Sequence, residues 1–401
     1  MARLLARKAL GGQLLKGALN LFRRRAELPG LAFSRPLVVL QSDDWGRVGV
    51  RDREGYDWLR SRGVRLGERA YDLYSLETAE DVTAVASLLG RHRDSTGRPP
   101  CLVMNVCTAN LDFKKMREGG FRSAEILPLA QGLPGKWSRP GLFEAYRLGI
   151  EQGVFYPALH GSTHFCPAAA ENALAEGGSR AEFLRLLWEA ETPYIYWRMP
   201  WIGYEYWNPQ KPRAGFLAVE RQRKLIWEAC ENFSGLFGMQ PVSACAPGCR
   251  ANRDTHRAWS EAGIRVAENG SGSGLRAPHV DQFGILHLYR TIDFEPSQQE
   301  LEVEKYLQVA GNCFSLGLPL IISVHSINFH SSIKDFRTPS VAALDSLLTG
   351  LESKYPELLY VHDEDLYGIV TQGAFSRGKV RVSVSVSQGD WNSRFVHQGA
   401  V

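Results

Sequence analysis

The sequence predicts an α/β fold in which seven or eight mostly parallel strands close into a barrel. Short runs of β-branched and aliphatic residues recur along the chain, each long enough for one buried strand. Stretches with apolar residues at every third or fourth position separate these runs, which is the spacing of amphipathic helices. Regular alternation of buried strands and helices is typical of a parallel sheet with both faces covered, and closure into a barrel is the architecture we expect.

The predicted strands are mostly apolar runs, at 37–40, 101–107, 154–159, 242–245, 264–267, 285–289, 318–324 and 358–361. The predicted helices are 71–89, with Ser75 or Thr78 as its N-cap, 138–152, 179–191 and 217–232. The segment 379–387 alternates strictly between apolar and polar residues, which predicts either an edge strand or an unstructured tail. We therefore expect a leader at 1–30, a barrel domain at 31–375 with an insertion at about 166–240, and a tail at 376–401.

Composition places the chain among soluble globular proteins. Of 401 residues, 44% are apolar and 22% are charged, which excludes a disordered or fibrous protein. The seven cysteines are odd in number and lack CxxC spacing, so we expect reduced thiols in the cytoplasm rather than a disulfide framework. The net charge is +4, but residues 1–30 hold seven Lys or Arg and one Glu; the remaining 40 basic and 42 acidic residues give −2. A basic body for nucleic acid is therefore absent.

The basic leader, residues 1–30, alternates Arg and Lys with apolar residues. It contains no apolar run of the roughly 18–20 residues that a membrane span needs, and no signal-peptide pattern. A peripheral contact with the inner face of a membrane is one interpretation, and a helix packed on the domain or a frayed end is the other.

Two adjacent carboxylates, Asp43 and Asp44, follow the first predicted strand in what we expect to be a turn. Like charges side by side need a cation, an arginine or a shared proton. One carboxylate can then bind a divalent metal while the other faces what the metal activates. A solvated turn that caps a helix is the simpler alternative.

Histidines follow two later strands. His160 and His164 are four residues apart, so a helical turn would bring both imidazoles to one ion. Because functional groups gather at the carboxyl ends of barrel strands, we expect them near Asp44. An Asp-His-His set suits zinc or a similar divalent ion. His325 ends another strand and is either a third histidine ligand or a general acid.

Two further stretches are candidates for the pocket wall. Cys245-Ala246-Pro247-Gly248-Cys249-Arg250 predicts a rigid turn after a strand, with Arg250 placed to orient a carboxylate; a plain surface turn is the alternative. The insertion is rich in large aromatic residues, which could stack on sugar rings or pack a local subdomain or dimer contact. They are Tyr194, Tyr196, Trp197, Trp201, Tyr204, Tyr206 and Trp207, of which Trp201, Tyr204 and Trp207 are our candidates for substrate contact.

The order of these motifs over about residues 36–370 resembles the polysaccharide deacetylases of the NodB-homology group, carbohydrate esterase family four, and more closely a bacterial polysaccharide deacetylase-like branch. The resemblance implies a distorted (β/α) barrel and metal-dependent hydrolysis of acetyl groups on a polysaccharide or glycan precursor. It also implies that Asp43 is the general base, that Asp44, His160 and His164 bind the metal, and that His325 is the general acid.

The chain departs from the family pattern at three places. Gln-Ser-Asp-Asp-Trp-Gly replaces Thr-Phe-Asp-Asp-Gly, which would place Trp45 at the pocket edge. Cys-Ala-Pro-Gly replaces the Arg-Pro-Pro loop, so Arg250 would support the base from a different position, with Pro247 in the wall. The carboxylate that tunes the acid histidine has no sure match; Asp293 is our first candidate and Glu295 the second.

Three functions are therefore open at the level of sequence. The first is a carbohydrate deacetylase that acts on N- or O-acetyl groups with zinc as the expected ion. The second is a metal-dependent hydrolase of a non-sugar amide. The third is a non-catalytic glycan-binding barrel in an assembly complex.

Overall fold

The computed structural model describes residues 30–210, 215–272 and 274–386. The strands are β1 Leu31–Phe33, β2 Leu37–Trp45, β3 Leu102–Val106, β4 Ala109–Leu111, β5 Ile126–Pro128, β6 Phe155–Leu159, β7 Trp207–Asn208, β8 Gly215–Phe216, β9 Ser243–Cys245, β10 Val266–Asn269, β11 His279–Val280, β12 Leu286–Tyr289, β13 Ile292–Asp293, β14 Leu320–His325, β15 Leu359–Tyr360, β16 Ala374–Arg377 and β17 Val380–Val386. The α-helices are α1 Arg53–Ser61, α2 Ala79–Leu89, α3 Phe113–Glu118, α4 Leu142–Glu151, α5 Pro167–Glu176, α6 Gly178–Glu189, α7 Val219–Phe237, α8 Arg253–Glu261, α9 Val303–Ser315, α10 Arg337–Lys354 and α11 Asp363–Gln372.

The central sheet is parallel in the order β12-β10-β9-β6-β3-β2-β14-β13. The segment from β12 to β13 closes it into a barrel, because Arg290 N donates to Asn269 O at 3.1 Å and Thr291 N donates to Ile321 O at 2.9 Å. One stretch of chain thus bonds to β10 on one side and to β14 on the other. The predicted mostly parallel α/β barrel is confirmed, with β15 paired beside the start of β2.

Strand β2 extends further than predicted. All nine of its residues are buried, and the two aspartates belong to the strand rather than to a turn. Ser42 pairs with Met104 and Trp45 pairs with Val106. Asp43 and Asp44 together therefore lie opposite the single β3 residue between Met104 and Val106. Asp44 has a φ of 75°, the left-handed backbone that one class of bulge adopts. The bulge breaks the alternation of the strand and directs two adjacent carboxylates into different surroundings.

Helix α2 is shorter than the predicted stretch. It begins at Ala79, and Thr78 is its N-cap through a capping box with Asp81. The preceding residues 73–78 are not helical, because Tyr74 and Leu76 are buried in the core around the barrel. Tertiary packing here overrides the local helical pattern.

A separate three-stranded antiparallel sheet, β1-β17-β16, covers one side of the barrel near α11. The alternating segment that we predicted as a strand or a tail is therefore a strand at 380–386, and it is the central strand of this sheet. The predicted leader, apart from residue 30, lies outside the described residues. Within the described ranges, no helix is long and apolar enough to cross a membrane.

Candidate active site

A cleft of about 410 Å³ opens at the carboxyl ends of the barrel strands. The residues that line it come from eight or more separate segments, which is the usual construction of an active site on a parallel barrel. They include Asp43, Asp44, Arg47, Tyr71, His160, His164, Tyr196, Trp197, Tyr204, Gly248, Cys249, Arg290, Asp293, Glu295 and His325. The two aspartates and three histidines singled out from the sequence thus meet in one cleft.

Asp44, His160 and His164 converge on one point. Asp44 Oδ1 lies 3.5 Å from His160 Nε2 and 3.3 Å from His164 Nε2. Ligands about 2.0–2.1 Å from a tetrahedral zinc ion are separated by about 3.3 Å, so these distances match a shared cation. Asp44 Oδ1 and His160 Nε2 are buried and have no hydrogen-bond partner among the described residues. The donor set therefore fits a divalent metal ion.

Hydrogen bonds at Nδ1 orient both imidazoles so that their Nε2 atoms face Asp44. His160 Nδ1 donates to the carbonyl of Cys245 at 2.9 Å, which leaves Nε2 as the lone-pair atom. His164 Nδ1 lies 2.6 Å from the hydroxyl of Tyr194, to which Arg47 also donates. Arg47 donates as well to Asp44 Oδ2 at 3.1 Å. Burial would raise the pKa of Asp44, but the neighbouring guanidinium and imidazoles hold that pKa well below its usual value.

Asp43 is held by a different set of partners. Arg290 donates to both of its oxygens, at 2.7 and 2.6 Å, and Asn105 Nδ2 donates to Oδ1 at 2.9 Å. Burial opposes the ionised form, yet Arg290 lowers the pKa of Asp43 below its usual value, so this carboxylate is ionised at neutral pH. The expectation that Arg250 supports the base is wrong, because its guanidinium is exposed and lies 5.2 Å from the ring centre of Trp207.

His325 pairs with Asp43 across the β14–β2 ladder, and its Nε2 lies 3.9 Å from Asp43 Oδ2. Its Nδ1 lies 2.6 Å from Glu295 Oε1. Burial alone would lower the pKa of His325, but Glu295 raises that pKa to about 10. Our first candidate for this partner, Asp293, is wrong: its side chain accepts from Ser271 at the mouth of the cleft. Glu295, the second candidate, occupies the tuning position.

Polar groups continue below Asp43 into the barrel. Arg290 also donates to Glu268 at 3.2 Å, and Gln41 Nε2 donates to Asp363 at 2.9 Å. Burial and the nearby carboxylates of Asp363 and Asp43 raise the pKa of Glu268 well above its ordinary value. The raised pKa favours the neutral form of Glu268, in which it competes less with Asp43 for Arg290. Sequence analysis missed Arg290, although it directly follows β12, as His160 follows β6.

Glu205 supports the loop that carries His160 and His164. Its Oε1 accepts from the backbone N–H groups of Ser162 and Thr163 at 2.8 and 3.0 Å. Gly161 has a φ of +74°, and a Cβ there would lie 1.9 Å from the Glu205 carboxylate, so the close approach requires glycine. Burial raises the pKa of Glu205 to about 7.

The aromatic candidates divide between core and cleft. Trp45, expected at the pocket edge, is fully buried and stacks on Phe329 with its indole N–H donating to Ser42. Because it fills the core, truncation to alanine would cost about 3–5 kcal/mol. Of the other expected substrate contacts, Tyr204 lines the cleft, whereas Pro247, Trp201 and Trp207 do not. The remaining aromatic residues at the cleft are Tyr71, Tyr196 and Trp197.

The sequence matches no family model and no curated protein. Among solved structures, the chain is similar to a proposed polysaccharide deacetylase from Mycobacterium smegmatis, at 12% identity and a TM-score of 0.43, over 86% of this chain and 95% of that one. It is also similar to a 4-alpha-glucanotransferase from Thermococcus litoralis, at 9% identity and a TM-score of 0.44, over 83% and 40% of the two chains. A family 4 carbohydrate esterase from Streptomyces lividans, solved with acetate, matches at 10% identity and a TM-score of 0.32, over 81% and 89%.

Proposed function

We propose that this protein is a metal-dependent hydrolase that removes acetyl groups from a polysaccharide or glycan precursor. The observation that carries the proposal is one cleft in which three side chains that could hold a metal ion, Asp44, His160 and His164, lie beside the carboxylate of Asp43 and the imidazole of His325. Hydrolysis of an amide or ester needs these three components: activation of water, a base for its proton and an acid for the leaving group.

Asp44, His160 and His164 would hold the ion, for which zinc is the expected identity because the donors are two imidazoles and one carboxylate. When bound, a divalent cation polarises the acyl carbonyl and lowers the pKa of water toward about 7. Three protein ligands leave coordination positions open, as in catalytic rather than structural zinc sites.

Asp43 would accept the proton of the attacking water. Arg290 and Asn105 fix its position from below, and they keep it ionised. Its Oδ2 atom accepts one strong hydrogen bond, from Arg290, and a weak contact from the Cys245 thiol at 3.8 Å. Of the two acceptor sites on Oδ2, only the one that faces Arg290 is strongly engaged, so the other can take the proton.

His325 would donate a proton to the departing amine or alcohol. Glu295 binds its Nδ1, so Nε2 is the donor atom, and this atom lies on the side of Asp43. The raised pKa, about 10, keeps the imidazole protonated at neutral pH, as an acid requires. Tyr71, Tyr196, Trp197 and Tyr204 around the cleft offer ring faces for a sugar.

Acetate release from acetylated oligosaccharides, measured with and without chelator, tests the proposal. We expect release that stops on chelation and returns with zinc. Asp44→Ala should lose both metal and activity, whereas Asp43→Asn should keep the metal and lose about 10²–10⁴-fold in kcat. The wild-type protein and both variants would be analysed for metal content.

Metal retained in Asp44→Ala but lost in Asp43→Asn would contradict these roles. Acetate release unaffected by metal removal would contradict metal dependence. Activity on simple acetamides but not on acetylated sugars would contradict the sugar substrate, and glycan binding without turnover would contradict the enzyme.

A further inference from the structure

We propose a second divalent-cation site, of the zinc class, formed by His256, Asp281 and His287 on the outer side of the barrel. These three side chains come from α8, from the turn between β11 and β12, and from β12. Each offers a ligand atom, and the three atoms lie within 4.8 Å of one another. None of the three belongs to the cleft described above.

The ligand geometry matches a tetrahedral ion. His287 Nε2 lies 3.2 Å from Asp281 Oδ2, close to the about 3.3 Å that separates two ligands of one zinc ion. His256 Nε2 is a buried atom without a hydrogen-bond partner in the described part of the chain. The ring centres of His256 and His287 are 4.7 Å apart, nearly at right angles, so they do not stack face to face. A cation between the three atoms would satisfy the unpaired nitrogen.

The turn that contains Asp281 holds its carboxylate in position. Its Oδ1 accepts from the backbone N–H groups of Phe283 and Ile285, both at 2.9 Å. The carboxylate is thereby fixed in direction, with Oδ2 towards His287 Nε2, and the ion would replace the 3.2 Å hydrogen bond between these two atoms. Such support of a ligating carboxylate by other hydrogen bonds is the usual construction of a metal site.

The positive side chains nearby are already engaged. Arg276 lies over the ring of Tyr289, 4.5 Å from its centre, and Arg253 donates to Gln282 at 3.0 Å. Both line the same cavity of about 440 Å³, together with His279. An anion held by these two arginines is the alternative to a cation in this cavity. The experiment below distinguishes the anion from the cation.

The location indicates a positioning role. Gly270 lines this cavity and also the candidate active-site cleft, and Ser271 next to it donates to Asp293 at the cleft mouth. A cation bound to α8 and to the β11–β12 hairpin would join two segments on the outer side of this shared wall. It would therefore fix the wall without touching the reacting groups.

Cobalt titration of the full-length protein tests the site. The background variant Asp44→Ala with His160→Ala disrupts the first metal set and also the other group in the cleft that could hold an ion, Asp43, His160 and Cys245, so the result is independent of the proposed hydrolase function. We expect this background to bind one Co²⁺ per chain, with visible absorption bands of nitrogen-ligated cobalt and a higher Tm. Adding His256→Ala should weaken binding at least tenfold.

Two further variants on that background keep the proposal falsifiable. Asp281→Asn retains the acceptor for the turn and removes the charged ligand, so it should fold and also weaken cobalt binding at least tenfold. Arg276→Gln is the matched control, which should leave cobalt binding equal or tighter.

The proposal is overturned if the background binds no cobalt, or if both His256→Ala and Asp281→Asn leave the affinity unchanged. Inorganic phosphate binding that needs no metal and is lost in Arg276→Gln would identify an anion site instead.

Discussion

Replacement of Glu295 by glutamine should change the acid-base behaviour of His325. The carboxylate lies 2.6 Å from Nδ1 and also accepts from the backbone N–H of His325 at 3.2 Å. It is the largest of the influences that raise the pKa of His325 from 6.5 to about 10 against the effect of burial. One charged partner at this distance shifts a pKa by about 1–3 units, or about 1.4–4 kcal/mol, so we expect a fall of that size in Glu295→Gln.

Two measurements detect the expected fall in the pKa of His325. NMR titration of the His325 ring in the metal-free protein gives the pKa directly. The basic limb of the kcat/KM profile should move to lower pH by a similar amount, because only the protonated imidazole can act as the acid. A bound cation lowers the pKa of His325 in wild type and variant alike, so the difference between the two is the quantity to compare.

The pH dependence of the free energy of unfolding should also show the change in the pKa of His325, and its direction can be predicted. Folding raises this pKa, so the stabilisation from protonated His325 is complete below about pH 6.5 and is lost as the pH rises through about 10. The loss of unfolding free energy in Glu295→Gln should therefore be larger at pH 6 than at pH 10. Asp293→Asn is the matched control, since Asp293 lines the same cleft but bonds to Ser271. An equal shift in both variants, or none in Glu295→Gln, would refute the assignment.

Two other substitutions test the base and the aromatic rim. Arg290→Met leaves Asp43 buried and without its guanidinium, so the free energy of unfolding should fall by about 3–5 kcal/mol in urea denaturation; an unchanged value would contradict the pairing. Trp197 is 51% exposed at the cleft, so Trp197→Ala should raise KM for acetylated oligosaccharides about 2- to 10-fold with kcat little changed. Trp227→Ala, on an equally exposed residue of α7 outside the cleft lining, should leave KM unchanged, and equal effects of both would contradict a role in the cleft.

The sequence was sufficient for the parts of the molecule that depend on local pattern. Apolar runs predicted most barrel strands to within two residues at their ends, because these strands are buried along all or nearly all of their length. The rule that functional groups follow barrel strands brought Asp44, His160 and His325 into one cleft. The same rule applied to Arg290, which follows Tyr289, would have identified the partner of Asp43.

The remaining features depend on contacts that local pattern does not encode. Trp45 is one residue from a metal-ligand candidate, yet the bulge in β2 turns its ring into the core. Asp293 and Glu295 are two residues apart, and only the path of the chain after β13 places Glu295 on His325. Glu205 acts on a loop some 40 residues earlier, through backbone N–H groups that any sequence would offer.

The structure changes the reason for expecting a metal ion beside Asp43 and Asp44. Adjacent carboxylates were expected to need a cation, an arginine or a shared proton to offset their repulsion. Of these three, the structure supplies arginine, with Arg290 for Asp43 and Arg47 for Asp44, and the bulge separates the two pairs. Charge repulsion therefore does not require an ion. What calls for one is the pair of buried atoms, Asp44 Oδ1 and His160 Nε2, that no described residue satisfies. Metal content of Asp44→Ala is accordingly a test of coordination and not of charge balance.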